Sequence, residues 1–275
     1  MASPKTKAAK EKQASSTGLP RSPLRVMNIL EELANAPVGL PLVRLCERLD
    51  LPMTSVLNLL RALADAKYVV NHQGLYRLGE AALRLSSRIA VAVPFPYAVH
   101  DLLTKLMTRC DETAMLAELA EDGRSAVYID KVECQRTIRF SNFIGVKRPL
   151  HSTAIGRAML AFQDEAFIKS YLKTVKLAAR ASRSITDRDE LLKRLDEIRK
   201  DGVAAAIEEH SEGVGAFAAP VFDASGRVRA AVSIGAPAMR ARSLGKKYAE
   251  EVRQVGREMS LVLGWQPNLS MTGRD

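Results

Sequence analysis

Near the front of the chain, apolar residues recur every three or four positions in three successive stretches. In "SPLRVMNILEELANAP", Leu24, Met27 and Leu30, with Val26 and Leu33, line one face of a helix. Ser22 suits its cap and Pro23 its first position, and Pro37 and Gly39 end it. A second short helix follows in "PLVRLCERLD", with Leu42, Leu45 and Leu49 inward and Arg44, Glu47 and Arg48 outward. A third spans residues 53–66 on the face Val56, Leu59, Leu60 and Leu63. The period then drops to that of strands. "YVV", the turn "NHQG" and "LYRL" predict two short strands around a glycine-containing turn. Three helices and a hairpin in this order predict a winged helix-turn-helix over residues 22–79.

"GEAALRLSSRIAVAV" returns to helical spacing and stops at Pro94–Phe95–Pro96, which predicts a linker helix over residues 80–96. A helix in "YAVHDLLTKLMTRC" enters a second domain over residues 97–265. There the pattern mixes strands and helices. "ETAMLAELAEDGRSAVYIDKVE" reads as two strands around an Asp-Gly turn, and "TIRF" as another strand. "STAIGRAMLAF" reads as a helix. "TDRDELLKRLDEIRKDG" reads as an amphipathic helix capped by Thr186 and stopped by Gly202. "GAFAAPVFDASGRVRAAVSIGAP" is a hairpin around Asp223–Gly226, and a helix in "SLGKKYAEEVRQVGREMSLVLG" closes the domain. The fold class is α+β with one antiparallel sheet in the second domain. Residues 1–21 are expected to be a disordered basic arm and 266–275 a tail.

Charge adds a partner to this outline. The net charge is +10, of which residues 1–21 hold +4, residues 22–95 hold +2 and residues 96–275 hold +4. A basic N-terminal third suits a polyanion, most simply duplex DNA. Cys46, Cys110 and Cys134 are too few and too scattered for a disulfide framework or a zinc knuckle, so a reducing cytoplasm is expected. No apolar run approaches the roughly 18–20 residues of a membrane span.

A recognition helix enters the major groove with its N-terminal side chains toward base edges. Thr54 and Ser55 stand at that end of the third helix, and Asn58 and Arg61 follow on the face left by the apolar set. Short hydroxyls allow close approach and bond phosphate or base. The wing, with His72, Gln73 and Arg77, is expected to touch backbone or minor groove.

Four stretches carry a family likeness over about residues 22–265: "GLPLVRLCERLDLPMTSVLNLLRAL" with "YRLG", "VYIDKVE", "RPLHSTAIGRAMLA" and "AAPVFDASGRVRAAVSIGAP". In order and spacing the chain resembles the IclR family of bacterial transcription regulators. The resemblance implies an operator-binding first domain, a GAF-like second domain that binds a small effector, and dimers that often pair into tetramers. Members commonly have Lys where this chain has Met53, and polar or basic residues where it has Leu57 and Asn58, so this reading helix is less basic than usual. Arg25 and the arm are expected to supply some of the missing phosphate contacts.

For the effector, the resemblance points to the helix start after "PLH", the strands flanking "EEH" and the "VSIGAP" strand. These positions are Ala154, Ile155, Ala206, Val214, Ala216, Ser233 and Gly235. Three of them, Ala206, Ala216 and Gly235, lack the polar groups of relatives that bind keto acids. The expectation is therefore an apolar pocket with backbone N–H groups near Ala154–Ile155 holding one carboxylate, suited to a small carboxylate, possibly aromatic. No metal, cofactor or catalysis is expected. His151 and Ser152 form no nucleophile motif, and His151 is expected to be structural or to lie at the pocket. Two other readings stay open: an architectural DNA binder whose second domain only oligomerises, and an enzyme using Glu208, Glu209 and His210.

Overall fold

The computed structural model describes residues 21–267, so the arm over residues 1–20 and residues 268–275 of the tail lie outside the described residues. The chain divides into two compact units that part between Ala92 and Val93.

The first unit contains α1 (Arg21–Ala34), β1 (Leu40–Pro41), α2 (Leu42–Leu49), α3 (Met53–Asp65), β2 (Val69–His72), β3 (Leu75–Leu78) and α4 (Glu80–Ala92). Ile29, Leu33, Leu45, Val56, Leu60, Leu63 and Val69 close its core. The inward face of α1 differs from the expected one. Ile29 and Leu33 are buried, whereas Leu24 and Met27 are 67% and 53% exposed. Ser22 is itself helical, so it is not the cap, and Pro23 follows it within the helix. β1 adds a strand that the pattern did not suggest, and the sheet order is β1-β3-β2. Two residues suffice there because Leu40 and Pro41 pair with Tyr76 and Leu75. The wing turn is Gln73–Gly74, both with positive φ (54° and 84°), the geometry of a two-residue hairpin loop. The Asn71 side chain accepts the Gly74 N–H at 3.0 Å and holds it.

The second unit is a six-stranded antiparallel sheet, order β6-β5-β4-β9-β8-β7, between two helical layers. Its strands are β4 (Thr113–Leu119), β5 (Ser125–Val132), β6 (Lys147–Pro149), β7 (Ala204–Ile207), β8 (Val214–Phe222) and β9 (Val228–Pro237). On one face pack α6 (Ala154–Leu160), α7 (Glu165–Thr174) and α8 (Arg188–Asp201). On the other pack α5 (His100–Cys110), α9 (Ala238–Ser243) and α10 (Gly245–Val262). With both faces covered, β8 and β9 read as continuous apolar runs rather than alternating ones. Among the described residues no helix is long and apolar enough to cross a membrane.

Two local expectations are corrected. "TIRF" is not a strand: Ile138 is exposed, while Phe140 turns in against Gly235, where an added Cβ would lie 2.2 Å from the ring. Side chains hold this loop instead, with Arg136 Nε donating to the Asp111 carbonyl and Ser141 Oγ to Glu133. The sheet edge is β6, paired with β5. The cap of α8 is Asp187, whose carboxylate accepts the Glu190 N–H at 2.9 Å, and not Thr186; a carboxylate also suits the positive end of the helix.

Candidate DNA-reading face and effector cavity

On α3, burial of Val56, Leu60 and Leu63 leaves Thr54, Asn58 and Arg61 exposed on one stripe, at spacings of four and three residues. The helix is capped by Pro52 with no side-chain hydrogen bond, so neither Thr54 nor Ser55 spends its hydroxyl on the helix's own N–H groups. Ser55 is half-buried. Among the described residues the side chains of Asn58 and Arg61 have no hydrogen-bond or ion-pair partner. Arg25 is half-buried on α1. His72 ends β2 and Gln73 begins the turn, both exposed. Arg77 is tied down: its Nε donates to the Val38 carbonyl at 2.8 Å and its stem packs over Gly39. Four further cations of this unit are paired away, Arg44 with Glu47, Arg48 with Glu32, and Lys67 and Arg84 with Glu80.

In the second unit, Ala154, Ile155, Ala206, Val214, Ala216, Ser233 and Gly235 all line one cavity. Gly156 makes this possible, because an added Cβ would lie 2.5 Å from Leu150 Cα; only glycine lets α6 pack so close to the segment before it. The cavity is small, about 60 Å³. Its lining is more polar than the expected apolar pocket with backbone N–H groups and the Ser233 hydroxyl. Tyr128, Asn142, Arg148, His210 and Ser211 also line it. Arg148 donates to the Asn142 side-chain oxygen at 2.6 Å and, among the described residues, has no carboxylate partner. Tyr128, Asn142, Arg148 and Ser211 were not expected here, and His210 was weighed only as part of an enzyme site, because no local pattern brings these separate segments together; "RP" in "KRPLH" was the available signal. Burial, then Arg148, then Arg180, push His210 down to about 4, so the imidazole is neutral at neutral pH and sits in a positive field.

The run Glu208–Glu209–His210 sends its side chains to three different elements. Glu208, in a left-handed conformation (φ 58°), pairs with Arg242 of α9. Glu209 pairs at 2.6 Å with the fully buried Arg157 of α6, whose Nη2 also donates to the Ala205 carbonyl at 2.7 Å. His210 Nδ1 lies 3.0 Å from Ser152 Oγ. The three do not converge on one point, as an acid–base pair or a metal would need. Among the described residues no cluster of three His, Cys, Asp or Glu could hold a metal ion. Ser152 is buried, and His151 is buried against Tyr171, with its Nδ1 at 2.9 Å and its N–H at 3.1 Å from the hydroxyl. Burial lowers the His151 pKa. His151 is thus a packing residue that ties the start of α6 to α7.

Comparison with known proteins agrees with this layout. Residues 22–73 match the IclR helix-turn-helix domain, and residues 93–261 match the bacterial transcriptional regulator IclR C-terminal domain. The chain is 30% identical to the HTH-type transcriptional regulator KdgR of Escherichia coli over 248 residues, 89% of this chain and 93% of that one. It is 30% identical to the E. coli transcriptional repressor IclR over 229 residues, covering 82% and 84%. The crystal structure of Pseudomonas aeruginosa HmgR superposes with a TM-score of 0.72 at 26% identity, covering 90% of this chain and all of that one.

Proposed function

We propose, from the premise that this chain belongs to the IclR family of bacterial transcriptional regulators, that it reads a palindromic operator as a dimer and responds to a compact carboxylate. Arg148 is the observation that carries the effector class. It is a half-buried cation without a carboxylate partner among the described residues, and it lines the same cavity as Ala206, Ala216 and Val214. An anion restores what that guanidinium lacks, and the alanines accept a short apolar body. Size limits the body. A cavity of about 150 Å³ holds a benzene ring, and this one is about 60 Å³. An aromatic acid therefore fits only if Phe140 leaves Gly235, so the preference expected from the sequence gives way to compact acids.

On the DNA side, Thr54, Asn58 and Arg61 face base edges, while Arg25 and the wing residues His72, Gln73 and Arg77 face phosphates. Exposed apolar side chains support a second copy: Leu24 and Met27 on α1, and Leu85 and Ile89 one turn apart on α4. A two-fold dimer matches a palindromic site. The effector acts by binding one arrangement of the dimer more tightly, which shifts the DNA-binding equilibrium by the ratio of its two affinities.

Calorimetry and thermal-shift titration of the full chain with glyoxylate, pyruvate and benzoate test this reading. Saturable binding of a compact acid is expected, and Arg148→Ala should weaken it by roughly tenfold or more, the worth of a charge-assisted hydrogen bond. If Arg148→Ala leaves the affinity intact, the anion is not held there.

A further inference from the structure

We infer that the second unit carries another small-molecule site, at the far end of β8 from the carboxylate cavity, built for a planar aromatic anion. Val214 and Ala216 near the start of β8 line the cavity, whereas Ala219, Pro220 and Phe222 near its end line a separate open cleft of about 180 Å³. The inference does not rest on the effector assignment.

The cleft has an aromatic wall. Phe162 meets Phe222 edge-on, with centroids 5.2 Å apart and planes at 84°. Phe222 in turn stacks on Trp265 at 5.4 Å and 28°. Two contacts fix the stack: Ser260 Oγ accepts the Phe222 N–H at 2.9 Å, and the Trp265 N–H donates to the Ser260 carbonyl at 2.9 Å. Trp265 is only half-buried, and its indole N–H has no partner among the described residues. Part of the indole therefore remains open for a ring to pack against.

The rim is cationic. Arg199, Lys200, Arg253 and Arg257 stand there against the single carboxylate of Asp201. Arg199 and Arg253 are anchored, their Nε atoms donating to the carbonyls of Ala161 and Asp201 and their Nη1 atoms to Asp196 and Glu250. Lys200 and Arg257 have no acidic partner among the described residues. The C-terminus of α8 accounts for Arg199 and Lys200 in its last turn and for Arg253, which donates to its last carbonyl, but not for Arg257 in the body of α10. Asp196 and Glu250 balance Arg199 and Arg253, which leaves Lys200 and Arg257 as the two cations at this cleft free to meet an anion.

Ring size and cleft size agree, since about 150 Å³ holds a benzene ring. The recognised chemistry is one flat ring bearing a phosphate or a carboxylate. The ring lies on Trp265 and Phe222, and the anion reaches Lys200 and Arg257.

Trp265 is the chain's single tryptophan, so its fluorescence reports on this cleft directly. Titration of the full chain with phenyl phosphate and with benzoate should change the emission saturably, and added salt should weaken the effect. The double variant Lys200→Ala/Arg257→Ala should raise Kd by roughly tenfold or more. Both side chains are exposed and unpartnered, so its melting temperature should match wild type. Arg148→Ala should leave the titration unchanged. The inference is overturned if neither probe alters the emission at millimolar concentration, or if the double variant binds as well as wild type. It is equally overturned if Arg148→Ala abolishes the response, since the ring would then be entering the carboxylate cavity.

Discussion

On α3, the exposed side chains Thr54, Asn58 and Arg61 make no hydrogen bond or ion pair among the described residues. At the candidate effector cavity Arg148 is held by Asn142 and His210 by Ser152, and next to His210 in the chain Glu209 is held by Arg157. The two regions place the cost of ordering in different steps. A reading face must exchange water for bases and phosphates, so its groups stay solvated until DNA arrives, and the helix is stabilised from its other side by Val56, Leu60 and Leu63. A cavity that selects a small ligand gains from groups fixed in advance, so their ordering belongs to folding rather than to binding. Substitutions should therefore uncouple function from stability on α3 and couple them around the cavity.

The sharpest way to break this contrast is Glu209→Ala. It would strand the Arg157 guanidinium, which is fully buried, and removing one partner of a buried pair costs about 3–5 kcal/mol. Denaturant unfolding should show a loss of that order. Hydrogen exchange should rise in α6 and β7 while α3 keeps its protection. A change under about 1 kcal/mol, the scale of an exposed pair, would mean that the Arg157–Glu209 pair does not hold α6 to the end of β7.

On α3 the expectation is reversed. Arg61→Ala and Asn58→Ala should each cost about 1–3 kcal/mol of discrimination between operator and mismatched DNA. Neither should move the melting temperature by more than the scatter usual for surface substitutions. Binding-site selection alongside thermal melting checks both halves. An unchanged selection profile would remove α3 as the reader.

The smallest effect sharpens the contrast through pH. His210 has its pKa lowered from 6.5 to about 4, chiefly by burial. Between these values the unfolded chain holds a proton that the folded chain lacks. The contribution of neutral His210 is thus present above about 6.5 and lost as pH falls toward about 4. His210→Gln should flatten this part of the stability profile. A carboxylate in the cavity should raise the His210 pKa, so binding should take up protons, read as a dependence of calorimetric enthalpy on the buffer. At a pH between those two values, identical enthalpies in MES and piperazine buffers would separate His210 from the ligand.

Much of the first unit was legible from the chain alone. Its information is local: the three-and-four spacing of Val56, Leu60 and Leu63, and a glycine at the wing turn, act within a few residues of each other. The β8–β9 hairpin was legible for the same reason, because Asp223 accepts the N–H groups of Ser225 and Arg227 in its own turn. The apolar lining of the cavity was reached through family resemblance rather than through pattern. Its charged and polar wall was decided by tertiary structure. Arg148 and His210 lie 62 residues apart and meet only because β4 inserts between β5 and β9 and β7 closes the other edge. The partners Arg157 and Glu209, 52 residues apart, were equally out of reach. The same holds for the outward turn of Leu24 and Met27, since periodicity shows that a helix has an apolar face but not which part of it another element covers. Long-range pairing is set by the closure of the whole core, and no local window of sequence contains that balance.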